Sequence, residues 1–345
     1  MPTKAKRRRP LSESTSAQAA PHASSSGAPS ETLAPRQAAA QPCSDEALLG
    51  TLIRIEGPEF VVAIDGSEDV FNCVLAGRRL KGGTPVVGDR VRLLRAQPRP
   101  VLTQLLPRQS SFERLSVGQR RTQALVANID TVVITVSCAN PPLRPGLIDR
   151  YLLAASQRGL FPILLFNKWD LASEFELEHA SLYNQLGYLV LCASAQDGFG
   201  IEDLMRVLAH RRSVFVGHSG VGKSSLLNRI APDAGLTVGE LSHGRGAHTT
   251  SQARLCRVGS SGFVIDTPGV REFGVTGVPS SELWCHFPEF AARAEACRFR
   301  PCMHIQEPDC AVHAAVNEGL IHEQRFASYL RLYSELKQEE EQRFR

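Results

Sequence analysis

The sequence of 345 residues lacks an apolar run long enough to cross a membrane, because its longest apolar runs have only the length of strands. It also lacks a disulfide framework. Its nine cysteines are scattered, only three of them cluster, and no secretory signal is recognisable. The net charge is only +4, so any nucleic-acid binding must depend on local basic patches. These absences argue against membrane-spanning and disulfide-stabilised secreted proteins and favour a reducing, cytoplasmic compartment.

Length and composition indicate several domains that follow a tail. Residues 1–45 are rich in Ala, Ser, Pro and Gln, carry a basic run from Lys4 to Arg9, and show no helix or strand period, so we predict a disordered basic tail. The tail is either a solvated linker or a transit peptide for an organelle matrix or stroma. Its acidic residues, Glu13, Glu31 and Asp45, count against the transit peptide. We predict folded domains at residues 46–107, 108–275 and 276–345.

Short strand-like runs separated by turn residues characterise residues 46–107. The runs lie at 52–55, 60–64, 71–75, 91–94 and 101–106. This density is typical of a small barrel such as an OB-fold, whose open face often binds RNA. Basic side chains give the segment a positive face that either binds RNA or is merely solvated; they are Arg78, Arg79, Lys81, Arg90, Arg92 and Arg95.

Near-continuous apolar strand patterns alternate with helical patterns between residues 108 and 275. The strand patterns lie at 131–136, 161–166, 188–192, 213–216 and 263–265, and helix-like stretches include 147–158 and 201–210. This alternation predicts a mostly parallel sheet covered on both faces, with ligands bound beyond the carboxyl ends of its strands.

A phosphate-binding loop follows the strand pattern at 213–216. Residues 217–224 read GlyHisSerGlyValGlyLysSer, match the P-loop pattern, and lead into a helix-like stretch. The glycines let the backbone wrap around phosphates, Lys223 would reach the β- and γ-phosphates, and the Ser224 hydroxyl would bind Mg²⁺. The predicted nucleotide-binding residues here are Gly217, His218, Ser219, Gly220, Val221, Gly222, Lys223, Ser224 and Ser225.

The turn AspThrProGly at 266–269 also ends a strand pattern. Asp266 would hold Mg²⁺ through a water, and the backbone amide of Gly269 would contact the γ-phosphate. The tetrapeptide is weak evidence alone and gains force because it follows the phosphate-binding loop in the same domain.

AsnLysTrpAsp at 167–170 predicts recognition of guanine. The carboxylate of Asp170 can accept hydrogen bonds from guanine N1–H and the 2-amino group, and adenine offers neither donor. Asn167 would orient the loop and the base, and the stem of Lys168 would cover the ring. A backbone amide near Ser194 and Ala195, in CysAlaSerAla at 192–195, would meet guanine O6.

The order of these motifs is permuted. In an ordinary GTPase the phosphate-binding loop comes first and the guanine motifs come last, whereas here the guanine motifs precede the loop. A circular permutation keeps the same sheet with the chain break elsewhere. It makes the turn at 266–269 the last element of the nucleotide domain. The following domain is therefore joined to the segment most sensitive to the γ-phosphate.

Residues 244–250, GlyArgGlyAlaHisThrThr, form the candidate switch loop. Thr249 or Thr250 would contact Mg²⁺ and the γ-phosphate. His248 either orients the attacking water or is a polar loop residue with no chemical role. Val270 stands where many GTPases have a water-positioning glutamine, so we predict slow unassisted hydrolysis.

Cys297, Cys302, His304 and Cys310 form a compact pattern of metal ligands. Three thiols and one imidazole suit a closed tetrahedral Zn²⁺ site, which has no open position and is therefore structural. Free buried cysteines are the alternative. The residues from 311 onward have a helical pattern, and we expect the last of them, 335–345, to form a solvated helix.

A barrel, a permuted GTPase domain and a zinc module, in this order, closely resemble the ribosome small-subunit-dependent GTPase A family (RsgA, also called YjeQ). The resemblance covers about residues 47–340 and rests on GHSGVGKSSL, GRGAHTT, DTPGVREF, NKWD and CRFRPCMHIQEPDCAV. It implies a GTPase of late small-subunit (30S) maturation, an OB-fold and a zinc domain that contact ribosomal RNA, and hydrolysis stimulated by the subunit. It also implies that the histidine matching His248 is a proposed catalytic residue.

The predicted protein is thus a multidomain enzyme with an N-terminal OB-fold β-barrel, a circularly permuted α/β P-loop GTPase domain and a C-terminal zinc-binding helical module. It would hydrolyse GTP to GDP and phosphate with Mg²⁺, carry one structural Zn²⁺, and act as a monomer on the small ribosomal subunit and its rRNA, without a membrane partner. An RNA-binding scaffold that holds GTP only as a structural ligand is the first alternative. A permuted GTPase of the large subunit is the second, which the zinc module disfavours.

Overall fold

The computed structural model describes residues 41–77, 80, 83–115, 122–232, 254–259, 262–266, 275 and 278–343. Its first five strands close into a barrel; they are β1 (Gln41–Glu56), β2 (Glu59–Ile64), β3 (Val70–Leu75), β4 (Arg90–Gln97) and β5 (Val101–Leu105). Their order is β1-β2-β3-β5-β4, with β4 pairing back to β1. All pairs are antiparallel except β3 with β5. This arrangement is an OB-fold and confirms the predicted barrel.

Alternation along the barrel strands fills the interior with apolar side chains. In β4, Val91 and Leu93 are buried, whereas Arg92 and Arg95 are exposed. Arg90 donates a hydrogen bond to Asp65 at 2.7 Å, so part of the basic charge is paired within the barrel. The buried barrel core comprises Leu52, Phe60, Val62, Cys73, Val91, Leu93, Leu102 and Leu105.

Strand β1 begins earlier than composition suggested. It starts at Gln41, within the segment 1–45 assigned to the tail, because Gln41 and Pro42 pair with Gln97 and Ala96 of β4. Backbone pairing of this kind does not require a particular side chain, so the composition of the segment did not reveal it. Residues 1–40 lie outside the described ranges.

A polar junction joins the barrel to the following domain. Strands β6 (Ser111–Leu115) and β7 (Thr122–Ala127) form a separate two-stranded sheet. Just before it, Arg108 forms a two-point ion pair with the buried carboxylate of Asp89, at 2.7 and 2.9 Å. Asn128 donates to the carbonyl of Gly88 at 2.9 Å. These contacts fix the chain where it leaves the barrel.

The second domain contains a six-stranded section of sheet covered by helices on both faces. Its strands are β8 (Thr131–Ser137), β9 (Phe161–Asn167), β10 (Leu189–Ala193), β11 (Arg212–Val216), β12 (Arg254–Val258) and β13 (Gly262–Asp266), in the order β10-β9-β8-β11-β13-β12. Only β12 runs antiparallel. The helices are α1 (Pro145–Gln157), α2 (Glu174–Gln185), α3 (Ile201–Leu208) and α4 (Lys223–Ile230). The predicted α/β sheet is confirmed, and β12 also pairs with β1 of the barrel.

The C-terminal segment is helical. It comprises a 3-10 helix (Ser280–His286), α5 (Pro288–Ala294), α6 (Ala311–Asn317) and α7 (Glu323–Arg343). The carboxyl-terminal part of α7 is mostly exposed, as expected, but Leu336 is buried and Glu340 accepts hydrogen bonds from Ser280, at 2.7 Å from its amide and 2.8 Å from its hydroxyl. Helix α7 therefore packs back on the protein along much of its length. Within the described ranges, no helix combines the length and apolar character that a membrane span requires.

Candidate functional site

Four loops meet at one edge of the sheet. They follow β8, β9, β10 and β11, which are parallel neighbours, so their carboxyl ends lie side by side. Two of these loops carry the predicted guanine motifs, and the loop after β11 carries the predicted phosphate-binding residues. The topology therefore brings motifs that are separated by about 50 residues to one place, where ligands of such sheets bind.

The phosphate-binding loop has a backbone that only glycine adopts easily. Gly217, with φ of 146°, has no room for a Cβ, which would lie 2.2 Å from the carbonyl oxygen of Thr135 in β8. Lys223 Nζ lies across the loop and donates to the carbonyls of Gly217 and His218, at 2.8 and 3.0 Å. Helix α4 begins at Lys223, which leaves the amides of its first turn available to an anion.

The side-chain amide of Asn167 connects three of the four loops. It is 1% exposed, its Nδ2 donates to the carbonyl of Val221 at 2.7 Å, and its Oδ1 accepts from the amide of Ala195 at 3.3 Å. Asn167 therefore orients the phosphate-binding loop and the loop after β10 as well as its own turn.

Lys168 crosses from the guanine turn to the neighbouring loops. Its backbone is left-handed, with φ of 60°, and its Nζ donates to the carbonyls of Ala139, Asn140 and Gly220. The Ala139 and Gly220 bonds are 3.1 and 3.0 Å long. The loop after β8 was not among the predicted site residues. Its position after a buried parallel strand was the available signal.

Asp170 lies in a short 3-10 helix, Trp169–Leu171, and is exposed. Its carboxylate makes no hydrogen bond or ion pair with any residue in the described part of the chain. Next to it, the ring of Trp169 contacts the edge of Phe166 at a centroid distance of 6.2 Å and anchors the turn. The carboxylate is thus held at the site edge and is available to a ligand.

The loop after β10 contains the two amides that were predicted to contact the base, and both have partners within the protein. Ser194 is buried, and its amide donates to the carbonyl of Phe199 at 2.9 Å, so this donor is used within the loop. The amide of Ala195 makes a longer hydrogen bond, 3.3 Å to the Oδ1 of Asn167. Arg229 of α4, which sequence reasoning missed, donates to the carbonyls of Ala195 and Gln196 at 2.9 and 2.8 Å.

The remaining predicted nucleotide residues are described only in part. Asp266 is the last residue of β13, which pairs with β11 beside the phosphate-binding loop. Gly269 and the switch residues His248, Thr249 and Thr250 lie outside the described residues. Their roles stay predictions.

The predicted metal ligands converge in the C-terminal segment. The ligand atoms of Cys297, Cys302, His304 and Cys310 all lie within 4.8 Å of one another. The Nδ1 of His304 is 3.5, 3.4 and 3.4 Å from the sulfurs of Cys297, Cys302 and Cys310, and the sulfurs of Cys297 and Cys310 are 3.9 Å apart. Thiolate and imidazole ligands of one tetrahedral Zn²⁺ lie about 3.5–3.8 Å apart, given bond lengths of about 2.0–2.3 Å. The cluster is compatible with structural zinc.

Polar contacts hold the metal-ligand loop in place. The Glu307 carboxylate accepts hydrogen bonds from the amides of Met303 and Ile305, both at 2.8 Å, and Tyr329 of α7 donates to the carbonyl of Met303 at 2.6 Å. Burial would raise the pKa of Glu307, but these amide hydrogen bonds lower it overall. Burial raises the pKa of Cys302 to about 12, so a metal ion would have to displace the thiol proton.

Comparison with known proteins gives one consistent family. The sequence pattern described as RsgA GTPase matches residues 105–276. Proteins named small ribosomal subunit biogenesis GTPase RsgA are similar over most of their length. The Moorella thermoacetica protein is 38% identical, covering 83% of this chain and 97% of the relative. The Pseudomonas putida F1 protein is 41% identical, covering 84% and 85%.

Two solved structures share the fold. YjeQ from Thermotoga maritima has 30% identity and a TM-score of 0.66, covering 84% of this chain and 99% of that one. YloQ, described as a circularly permuted GTPase, has 27% identity and a TM-score of 0.67, covering 89% and 99%. The permuted motif order and the strand topology agree with this description.

Proposed function

The chain belongs to the RsgA GTPase family, and from this premise we propose that it is a GTPase that acts in the biogenesis of the small ribosomal subunit. The relatives carry this function in their names, and the chain covers most of their length. The family resemblance inferred from the motifs is confirmed.

One observation carries the nucleotide-binding part of the proposal. The buried amide of Asn167 contacts the phosphate-binding loop and the loop after β10, so the residues proposed for base recognition and those proposed for phosphate binding lie together. If the glycine-rich turn served only to pack the strand against the helix, the exposed carboxylate of Asp170 in the neighbouring turn would have no role. The arrangement supports the proposal that one guanine nucleotide binds here, with its base and its phosphates contacted by neighbouring loops.

In this proposal, each element of the site has a separate task. Asp170 and the amide of Ala195 select guanine, and Lys168 covers the base. Lys223 and the first amides of α4 neutralise phosphate charge. Ser224, Asp266 and Thr249 would hold Mg²⁺, which supplies further charge neutralisation when bound. His248, with Thr249 or Thr250 beside it, would orient the attacking water, because Val270 cannot.

The flanking domains provide binding to the partner. We propose that the barrel and the zinc module contact the rRNA of the small subunit, with Zn²⁺ held by Cys297, Cys302, His304 and Cys310 as a structural ion. The predicted domain limits, at 46–107, 108–275 and 276–345, define these parts, with the barrel extended to Gln41, where β1 begins. A single chain acting in the cytoplasm is the state that we propose; the matched relatives are bacterial ribosome-biogenesis proteins.

The decisive experiment measures phosphate release from GTP by the full chain alone, with purified small subunits, and with purified large subunits. We expect slow release alone and acceleration by the small subunit only. Tight GTP binding with no release in any condition would identify the RNA-binding scaffold instead. Acceleration by the large subunit and not by the small subunit would identify the second alternative, a permuted GTPase of the large subunit.

A further inference from the structure

A buried ionic cluster lies where the C-terminal helix meets the nucleotide domain. Arg325 of α7 has a side chain that is 3% exposed and forms ion pairs with Asp149 of α1 and Glu289 of α5. Its Nε and Nη2 donate to the two carboxylate oxygens of Glu289 at 2.6 and 3.1 Å, and its Nη1 donates to Asp149. The guanidinium carbon lies 4.4 Å from the ring centre of Phe287.

The same cluster includes a tyrosine of a fourth helix. Tyr183 of α2 is fully buried and donates its hydroxyl hydrogen to Asp149 at 2.7 Å, with the carbonyl of Pro145 at 3.3 Å. Burial and the nearby Asp149 raise the pKa of Tyr183, so the hydroxyl stays a donor. Asp149 thus receives hydrogen bonds from α2 and α7 while it belongs to α1.

Burying these charged groups costs desolvation free energy, which a purely structural contact between helices does not require. The cluster places two carboxylates against one guanidinium, and the second oxygen of Asp149 is buried without a hydrogen-bond partner within the described ranges. When apolar residues of similar volume replace a buried ion pair, the folded protein is commonly as stable as before or more stable. Ionic and hydroxyl contacts tolerate little displacement, so a role in fixing one relative position of the helices would account for the cluster.

Two of the helices that it fixes begin just after loops of the nucleotide site. Helix α2 starts at Glu174, a few residues after the turn at 167–170. Helix α1 starts at Pro145, after the loop whose Ala139 and Asn140 carbonyls accept from Lys168. The position of α1 relative to α2 therefore sets the position of that loop relative to Lys168 and Asp170.

We propose that Arg325, acting through Asp149 and Tyr183, is a positioning residue for guanine recognition. The proposal rests on the proposed function, because it assigns a remote determinant to that nucleotide site. It means that the C-terminal helix contributes to base selection although it lies outside the nucleotide domain.

The test compares the affinities of GDP and inosine diphosphate, which lacks the 2-amino group that Asp170 would contact. Asp149→Asn keeps the size of the side chain and leaves Arg325 paired with Glu289, but it removes the charge between α1 and α7. We expect the preference for GDP over inosine diphosphate to fall by about threefold or more, the scale on which residues remote from a ligand modulate its affinity. Circular dichroism must show the variant folded at the assay temperature.

The control is Glu335→Gln, which removes a more exposed pair, Arg150 with Glu335, between the same helices α1 and α7. It should leave the preference unchanged. If Asp149→Asn does not fold, Tyr183→Phe tests the link from Asp149 to α2 through which Arg325 would act, because it removes the hydroxyl contact without leaving an unpaired charge. An unchanged GDP preference in a folded variant overturns the proposal. Absence of a GDP preference in the unaltered protein would instead overturn the part of the proposed function that assigns recognition of the 2-amino group to Asp170.

Discussion

The Nδ2 of Asn167 and the α-carbon of Gly222 approach so closely that a Cβ on Gly222 would lie 2.2 Å from the amide nitrogen. The same Nδ2 donates to the carbonyl of the preceding residue, Val221, at 2.7 Å. The predicted phosphate-binding loop and the predicted guanine turn are therefore joined through one side chain. A substitution at either residue should therefore disturb both the phosphate-binding loop and the guanine turn.

Gly222→Ala should weaken GDP binding strongly, because the added methyl group displaces Asn167. Gly220→Ala is the matched comparison. Both glycines have positive φ, 92° and 84°, but among the described residues a Cβ on Gly220 would meet only Pro141, at 3.5 Å. Both variants carry backbone strain, so the excess loss at Gly222 measures the clash. Isothermal titration of GDP gives the comparison, and equal losses would show that the clash does not matter.

The close approach of Asn167 and Gly222 also predicts that these changes are not additive. In a chain that already carries Asn167→Ala, the clashing side chain is absent, so Gly222→Ala should cost less GDP affinity than it does in the unaltered chain. Titrating GDP into the single and double variants measures this difference. Additive losses would mean that Asn167 and Gly222 act independently.

Asp170→Asn should impair guanine binding without unfolding the protein. The exposed carboxylate becomes an amide that presents a donor to the 2-amino group, and the unpaired polar groups should cost about 2–4 kcal/mol of GTP binding. Xanthosine triphosphate provides the control, because its base has a carbonyl oxygen at the 2-position, and the asparagine can donate to it. Unchanged GTP affinity would refute the assigned role of Asp170.

The fold could be predicted well because its signals are local. Alternation in the barrel strands and continuous apolar runs such as 131–136 correspond to buried strands in the structure. The contacts that organise the site could not be predicted in the same way. Lys168 donates to the carbonyls of Ala139 and Asn140, and Arg229 to those of Ala195 and Gln196. Every residue type has a backbone carbonyl that can accept a hydrogen bond, so the sequence does not show which carbonyls these side chains contact.

Cys302→Ser should release zinc from the C-terminal segment. Loss of one thiolate leaves the four-ligand set incomplete, and we expect the loop between Cys297 and Cys310 to loosen while GDP binding changes less. Elemental analysis of protein purified without chelators measures the zinc, with Cys285→Ser as the control because Cys285 is exposed and outside the cluster. Finding no zinc in the unaltered protein would argue against the site altogether.

His248→Ala separates catalysis from binding. If the histidine orients water, the variant should lose the hydrolysis that small subunits stimulate and keep its affinity for a non-hydrolysable GTP analogue. Phosphate release with subunits and analogue titration are measured on the same preparation. Normal stimulated hydrolysis in the variant would remove His248 from the mechanism while leaving the GTPase assignment intact.

The nucleotide state should control binding to the subunit. In the permuted chain the turn at 266–269 leads directly towards the zinc module, so γ-phosphate contacts at this turn should alter how the module is held. A ligand shifts such an equilibrium only through its different affinities for the two states. We expect small subunits to bind more tightly with a non-hydrolysable GTP analogue than with GDP, by about 1–3 kcal/mol.

Reciprocity supplies the check on this last prediction. If the analogue tightens subunit binding by some factor, the subunit must tighten analogue binding over GDP binding by the same factor. Both arms of the cycle can be measured by sedimentation and by competition with a fluorescent nucleotide. The salt concentration must be matched, because rRNA contacts depend steeply on it. Equal subunit affinity with GDP and the analogue would eliminate the coupling, and the zinc module would then hold the subunit independently of the nucleotide.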